Sequence, residues 1–396
     1  MTKTFRHGGL AAVLLIGLTA CGNGTSSVPT TAAGTYTIGF AEAKTGYLAL
    51  VDQPVEQGML VTIDQINKNG GIDGKYKISL ISEDMKTDAA TGATVAQDLL
   101  SKNINFLVTT CDADVSLPGA TIAVNAKIPV MSSCGADASF PQRVGSLGFL
   151  NVPGTQSQGA AMAEYALKQG YKNAYVLLSR DEGYTQTLAQ AFEDRFKSGG
   201  ASIVGEDQYK IGQTDYRVTA TKIVNASPKP DVIMTNTFPP DSVAFLKDLE
   251  RAGNKTPILL VDGNDTGSIF QAGPQLDLST MFTYGGYRGT GSLVDQFVKQ
   301  YTDKFGHAPE SLQTALGGDL ILVLAAAVTK AGSTDGTKVA AALANLENVQ
   351  GVTGPITYKD RNGLPKKLYA VVKINRNTNQ FQVLDNFFPT QIPNPR

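Results

Sequence analysis

Only two histidines occur in the 396 residues. His7 stands in an N-terminal segment with the marks of an export signal, and His307 stands in Phe305-Gly306-His307-Ala308-Pro309, a helix-ending loop. A catalytic triad would have to be built on His307, which leaves a hydrolase or amidase short of parts. No Gly-x-Ser-x-Gly, His-Glu-x-x-His or Gly-x-x-x-x-Gly-Lys-Ser/Thr is present, so the signatures of esterases, zinc peptidases and phosphate-cradling enzymes are missing. The first strand is not followed by Gly-x-Gly-x-x-Gly, which removes the dinucleotide fingerprint. Cysteine is scarce, three in all, and no Cys-x-x-Cys occurs, so a thiol redox enzyme lacks its motif. No basic patch calls for nucleic acid. These absences predict a protein that is not an enzyme and that needs no cofactor and no metal.

Long apolar runs are also missing. Lys3 and Arg6 precede an apolar stretch over residues 10–18, far short of the roughly 20 residues that span a bilayer, and this reads as a signal peptide over residues 1–20. Leu18-Thr19-Ala20-Cys21 resembles a bacterial lipobox, which implies cleavage before Cys21 and acylation of its thiol. An ordinary signal peptide with a chance cysteine is the alternative, because Ala20 also suits ordinary cleavage. Residues 22–34, rich in Gly, Ser, Thr and Pro, read as part of a flexible tether over residues 21–35. Removing the signal leaves 32 basic against 35 acidic residues, a net charge of −3. A mature chain of about 375 residues exceeds the usual single core and argues for two domains. The most apolar stretch of the mature chain, residues 320–328, is again too short to span and reads as a buried helix.

What is present is a strand–helix–strand unit over residues 36–88. Residues 36–41 alternate and then run apolar like a strand, ending at Lys44-Thr45-Gly46-Tyr47. Pro54 suits a first helical turn, Val55, Met59, Ile63 and Ile66 form one apolar stripe, and Gly70-Gly71 ends it. Residues 76–81 supply a second strand, parallel to the first because a helix connects them. Helices near residues 88–103 and 117–127 and strands at 104–109 and 128–132 complete one α/β lobe. After a crossing at residues 147–153 the plan repeats, with strands at 174–179, 202–205, 231–235 and 257–261. Three helices without intervening strands follow a second crossing near residues 282–287. A third crossing near residues 355–358 precedes a hairpin at 368–374 and 380–384. The predicted fold is α/β, two doubly wound Rossmann-like lobes joined by a three-crossing hinge. The first lobe takes residues 36–152 and 287–357, the second takes 153–286 and 358–388, and 389–396 form a tail. Cys111 and Cys134 end the third and fourth strands of the first lobe. Neighbouring strands lie about 4.8 Å apart, so a disulfide is geometrically natural, with two buried free thiols as the alternative.

The order of strand, Thr45-Gly46, long helix, Ile66-Asn67-Lys68-Asn69-Gly70-Gly71-Ile72-Asp73-Gly74, strand, Glu83-Asp84 and the helix start Asp88-Ala89-Ala90 resembles the leucine/isoleucine/valine-binding protein family of type I periplasmic binding proteins. The likeness extends over residues 36–388. It implies two lobes closing over a small-molecule ligand, an ABC permease as partner, a lipid-anchored monomer outside the cytoplasmic membrane, and no catalysis. A ligand-sensing receptor module is the runner-up, since the same fold serves receptors. The family's own disulfide pairs the Cys111 position with one near Met85, so a bridge here is wired differently.

Ligands of open α/β sheets bind beyond the carboxyl ends of the strands. Those loops hold Thr45, Tyr47, Asp84, Asp112, Ser133, Gly135 and Asp137 in the first lobe and Asp181, Glu182, Tyr184, Phe238 and Asp262 in the second. The resemblance implies that the Asp112 and Asp137 positions, hydroxyl-bearing in the family, help hold a ligand's carboxylate and amine. It also implies that Tyr184 closes from the other lobe and Asp262 takes the ammonium, while Phe238 replaces a tyrosine. Aspartates in place of two hydroxyls would repel a carboxylate, and Tyr47, Tyr184 and Phe238 offer aromatic walls to a cation. The sequence therefore points to an amine-bearing or otherwise cationic solute, with a neutral or amino-acid-like ligand as the alternative. Set against this, each single aspartate reads more readily as a helix N-cap or a solvated loop residue than as a ligand contact, and it is their excess that points to a ligand.

Overall fold

The computed structural model describes residues 34–181, 183–284, 292–311 and 313–394. The signal, Cys21 and the tether as far as residue 33 lie outside the described residues, as does Glu182; residues 34 and 35, expected in the tether, instead open the first strand by pairing with Tyr76 and Lys77. The first half runs β1 (Gly34–Glu42), α1 (Ala49–Lys68), β2 (Tyr76–Asp84), α2 (Ala89–Ser101), β3 (Phe106–Thr109), α3 (Ala113–Asn125), β4 (Val130–Ser132), α4 (Ser139–Val144) and β5 (Gly148–Leu150). Next come α5 (Thr155–Lys168), β6 (Asn173–Ser179), α6 (Gly183–Ser198), β7 (Ser202–Tyr209), α7 (Arg217–Val224), β8 (Val232–Thr235), α8 (Asp241–Arg251) and β9 (Ile258–Leu260). Two 3-10 segments, Asp262–Asn264 and Gly267–Leu278, lead to β10 (Ser279–Tyr284). The chain closes with α9 (Ser292–Phe305), α10 (Gln313–Ala331), α11 (Gly336–Ala344), β11 (Val349–Gly351), β12 (Gly354–Ile356), β13 (Tyr369–Asn375) and β14 (Gln380–Phe387).

The strands form two large sheets. The first has the order β2-β1-β3-β4-β5 with parallel neighbours. The second has the order β14-β13-β10-β9-β8-β6-β7; it is parallel from β10 to β7, with β13 antiparallel to β10 and β14 antiparallel to β13. Its parallel part repeats the order of the first sheet, with β6 in the place of β1 and β7 in the place of β2. The duplication is thus structural, with no periodic sequence repeat behind it. Strand order reverses between β1 and β3 in one sheet and between β6 and β8 in the other, and helices cover both faces of each. On β1, Tyr36, Ile38 and Phe40 pack with α1, α10 and α11, while Ala41 joins the core under α2 and α3. The corresponding layers of the second sheet pack under α7 and α8 on one face and α5 and α6 on the other.

Two helices begin earlier than the sequence pattern predicts. Pro54 and Pro118 each sit inside a helix, α1 starting at Ala49 and α3 at Ala113. In α1 the added turn closes through Val51 and Asp52 N–H groups donating to the Leu48 carbonyl, and it carries the Asp52 carboxylate down onto Ala43. In α3 the added turn is capped by Asp112. Local hydrogen bonding outweighs the proline signal in both. The stretch expected only to cross, residues 147–153, first pairs as β5 beside β4.

Helix α10 is long and apolar enough to cross a membrane by length and composition, yet Leu320, Ile321, Val323, Leu324, Ala327 and Val328 are buried in the first core. It crosses α1 at two glycines. A Cβ on Gly58 would strike the Thr314 carbonyl, and one on Gly317 would strike the Val55 carbonyl and come 2.7 Å from the Met59 nitrogen. Beside this crossing lies a buried ion pair. Lys367 Nζ is 2.8 Å from Asp319 Oδ2, both side chains are essentially inaccessible, and Thr353 donates its N–H and hydroxyl to the same carboxylate. The pair ties the segment that enters the second sheet to the helix that covers the first.

Candidate ligand cleft

Each site residue expected from the sequence lies just past the carboxyl end of a strand. Thr45 and Tyr47 follow β1, Asp112 follows β3, and Ser133, Gly135 and Asp137 follow β4; Tyr184, Phe238 and Asp262 follow β6, β8 and β9. Of these residues Tyr184 alone enters the apolar cluster that joins the two sets of loops. Ala136 and Cys134 from the first lobe pack with Tyr184, Tyr284 and Tyr369 of the second.

On the second-lobe side Asp262 is buried, and its Oδ1 accepts from the Tyr184 hydroxyl at 2.7 Å and from Gln158 Nε2 at 2.7 Å. Burial pushes the Asp262 carboxyl above its ordinary pKa, against the pull of those two donors. Burial, with the neighbouring Asp262 charge, also raises Tyr184, so the phenol stays protonated and donates. No ion pair to Asp262 occurs among the described residues. Tyr284 and Tyr369 pack nearby, their rings tilted by 40° with centroids 5.7 Å apart, and Tyr369 shares a hydrogen bond of 2.7 Å with the Ser157 hydroxyl. Phe238 lies against Gly263, where a Cβ would meet its side chain at 3.0 Å.

On the first-lobe side most of the expected residues are engaged within the protein. Asp112 caps α3, its Oδ1 accepting from the Asp114 and Val115 N–H groups, while Oδ2 accepts from the Tyr47 hydroxyl at 3.0 Å. Asp137 accepts the N–H and hydroxyl of Ser139 at the start of α4. Asp84 gathers the N–H groups of Lys44, Thr45 and Lys86 and takes the Thr45 hydroxyl. In the second lobe Asp181 accepts from Ile211 N–H. Much of the acidic excess therefore serves caps and turns. Gly135 is required by close approach, since a Cβ there would collide with the Cys111 carbonyl and the Ser132 hydroxyl. Cys111 and Cys134 form a disulfide with Cα atoms 4.6 Å apart, joining the two loops that carry Asp112 and Gly135.

Sequence reasoning missed four contributors. Gln158 belongs to the run Thr155-Gln156-Ser157-Gln158 opening α5, whose four polar side chains are all buried. That clustering of polar residues at a helix start was the available signal. Tyr284 fell in the crossing expected near residues 282–287, where the chain instead continues β10 as far as Tyr284, and Tyr369 read only as a strand residue. Asp52 fell in the loop assumed to precede Pro54. It is wholly buried, accepts from Ala43 N–H at 2.9 Å and Ser133 Oγ at 3.3 Å, and burial pushes it up to about 7. Ser133 thus turns its hydroxyl inward.

Two duplicated parallel sheets with facing strand ends and a shared seam define a two-lobed binding protein of the type I periplasmic class. Residues 35–379 match the sequence profile of the periplasmic binding protein family, and the chain belongs to that family. Among curated relatives, the Leu/Ile/Val-binding protein BraC3 of Rhizobium johnstonii is 25% identical over 341 residues, covering 85% of this chain and 91% of its own. Among solved structures, the branched-chain amino acid substrate-binding protein LivJ of Streptococcus pneumoniae, in complex with isoleucine, superposes with a TM-score of 0.76 at 21% identity, covering 89% of this chain and 99% of that one. A solute-binding protein of R. palustris in complex with benzoate also reaches 0.76, at 17% identity, covering 91% and 99%. These relatives are solute-binding proteins, not enzymes.

Proposed function

We propose that this chain is the solute-binding lipoprotein of an ABC importer. It captures a small amine-bearing solute between its two lobes and delivers it to a membrane permease. Residues 36–152 with 287–357 form one closing lobe and 153–286 with 358–388 the other. The observation that carries the ligand class is Asp262, a carboxylate buried beside the cleft and met, among the described residues, by the neutral donors Tyr184 and Gln158. Burying a charge without an opposite one is costly, and an ammonium entering the cleft offsets that cost. Tyr184, Tyr284 and Tyr369 add ring faces that favour a cation. The isoleucine held by one relative also carries an ammonium, so an amino-acid-like solute is the alternative that the same carboxylate accommodates.

Calorimetry against putrescine, choline, leucine and phenylalanine tests this. Binding of an amine probe that weakens at least tenfold in Asp262→Asn is the expected result. Micromolar leucine binding that Asp262→Asn leaves unchanged would overturn both the ligand class and the site. Anchoring rests on Leu18-Thr19-Ala20-Cys21, and Cys21→Ser should move the protein from the membrane to the soluble fraction.

A further inference from the structure

We propose that Asp52 is the positioning residue of the first-lobe ligand face, one carboxylate holding three strand-end loops in register. The proposal rests on reading the cleft as the ligand site. Asp52 projects from the first turns of α1, and its two oxygens reach different loops. Oδ2 accepts from Ala43 N–H, directly after β1, at 2.9 Å. Oδ1 accepts from Ser133 Oγ, directly after β4, at 3.3 Å, and lies 3.6 Å from Cys111 Sγ, just after β3. The Thr110 hydroxyl and the Cys111 N–H face the same carboxylate from beyond hydrogen-bond geometry and stabilise its charge. Those loops carry Thr45 and Tyr47, Asp112, and Gly135 and Asp137.

The disulfide joins only two of the three loops. The β1–α1 loop is brought to them at its base by Asp52 and at its exposed tip by the Tyr47 hydroxyl on Asp112. The arrangement is kept at a cost, because Asp52 is completely inaccessible and Glu42, also inaccessible, lies close by with Lys44 Nζ 3.6 Å away and neither carboxyl oxygen hydrogen-bonded. An apolar residue under the loops would avoid that cost and lose the register, since it has no acceptors. A charge retained against stability at a binding face is what positioning requires.

The test needs no ligand, so its failure is separable from failure of the proposed solute. Amide hydrogen exchange is compared in the wild type, Asp52→Asn and Ser133→Ala. In Asp52→Asn, exchange should rise roughly tenfold, the loss of about one net hydrogen bond, in residues 43–48, 110–114 and 133–137 together, while Tm holds or rises because the buried charge is gone. In Ser133→Ala the rise should be confined to residues 133–137. Reducing the disulfide in the wild type should leave residues 43–48 protected. A rise limited to residues 49–53, no rise, or a uniform rise with a fall in Tm would overturn the assignment. If Asp52→Asn does not fold, unchanged exchange at 133–137 in Ser133→Ala would overturn it alone.

Discussion

Replacing Lys367 with methionine keeps most of the side-chain stem and removes the ammonium from a site where both partners are inaccessible. At 2.8 Å and an effective dielectric of about 20, the attraction to Asp319 is roughly 6 kcal/mol, most of it offset by taking two charges out of water. Removal of one partner leaves the other without that offset. Burial already drives the Lys367 ammonium below its usual pKa, so the lysine is held charged by its neighbour. Lys367→Met should therefore cost about 3–5 kcal/mol, with only the Thr353 donors left to satisfy Asp319. Adding Asp319→Asn removes the orphaned charge and keeps an acceptor for Thr353, so the double variant should recover at least half of the loss. The sequence contains no tryptophan, so urea unfolding is best followed by far-ultraviolet circular dichroism and tyrosine fluorescence. A single variant within about 1 kcal/mol of wild type, or a double variant as costly as the two singles added, would refute the reasoning.

Glu42 is pushed up to about 8, by burial first and then by repulsion from Glu56, with Lys44 pulling the other way. A carboxyl whose folded pKa lies above its unfolded value contributes stability that is complete below about pH 4.5 and is lost as pH rises through about 8. Glu42→Gln should flatten the fall in Tm over that window, and an unchanged slope would contradict the assignment. Gly317→Ala should lower stability by about 1–3 kcal/mol, because the new methyl meets backbone of α1 rather than a yielding side chain. A thermal melt indistinguishable from wild type would show that the two helices do not cross so closely.

The alternation of apolar strands and striped helices determined by itself that this chain is α/β with parallel sheets, because a helical connection forces consecutive strands to run the same way. It also placed the candidate residues at the strand ends, since loops there are marked by Gly, Asp and aromatic residues. Tertiary structure decided what those residues do. Composition counts carboxylates but not their partners, so Asp84, Asp112 and Asp137 looked like a ligand-facing charge until the N–H groups they hold were visible. Asp262 differs only in being buried against Tyr184 and Gln158, the latter 104 residues away along the chain. Asp52 was hidden for a local reason: a proline signal set the helix start too late, and only contacts to loops up to 81 residues distant made the extra turn worth forming. Periodicity is a property of neighbours in sequence, whereas the burial that gives a carboxylate its role depends on strands and helices that arrive from elsewhere.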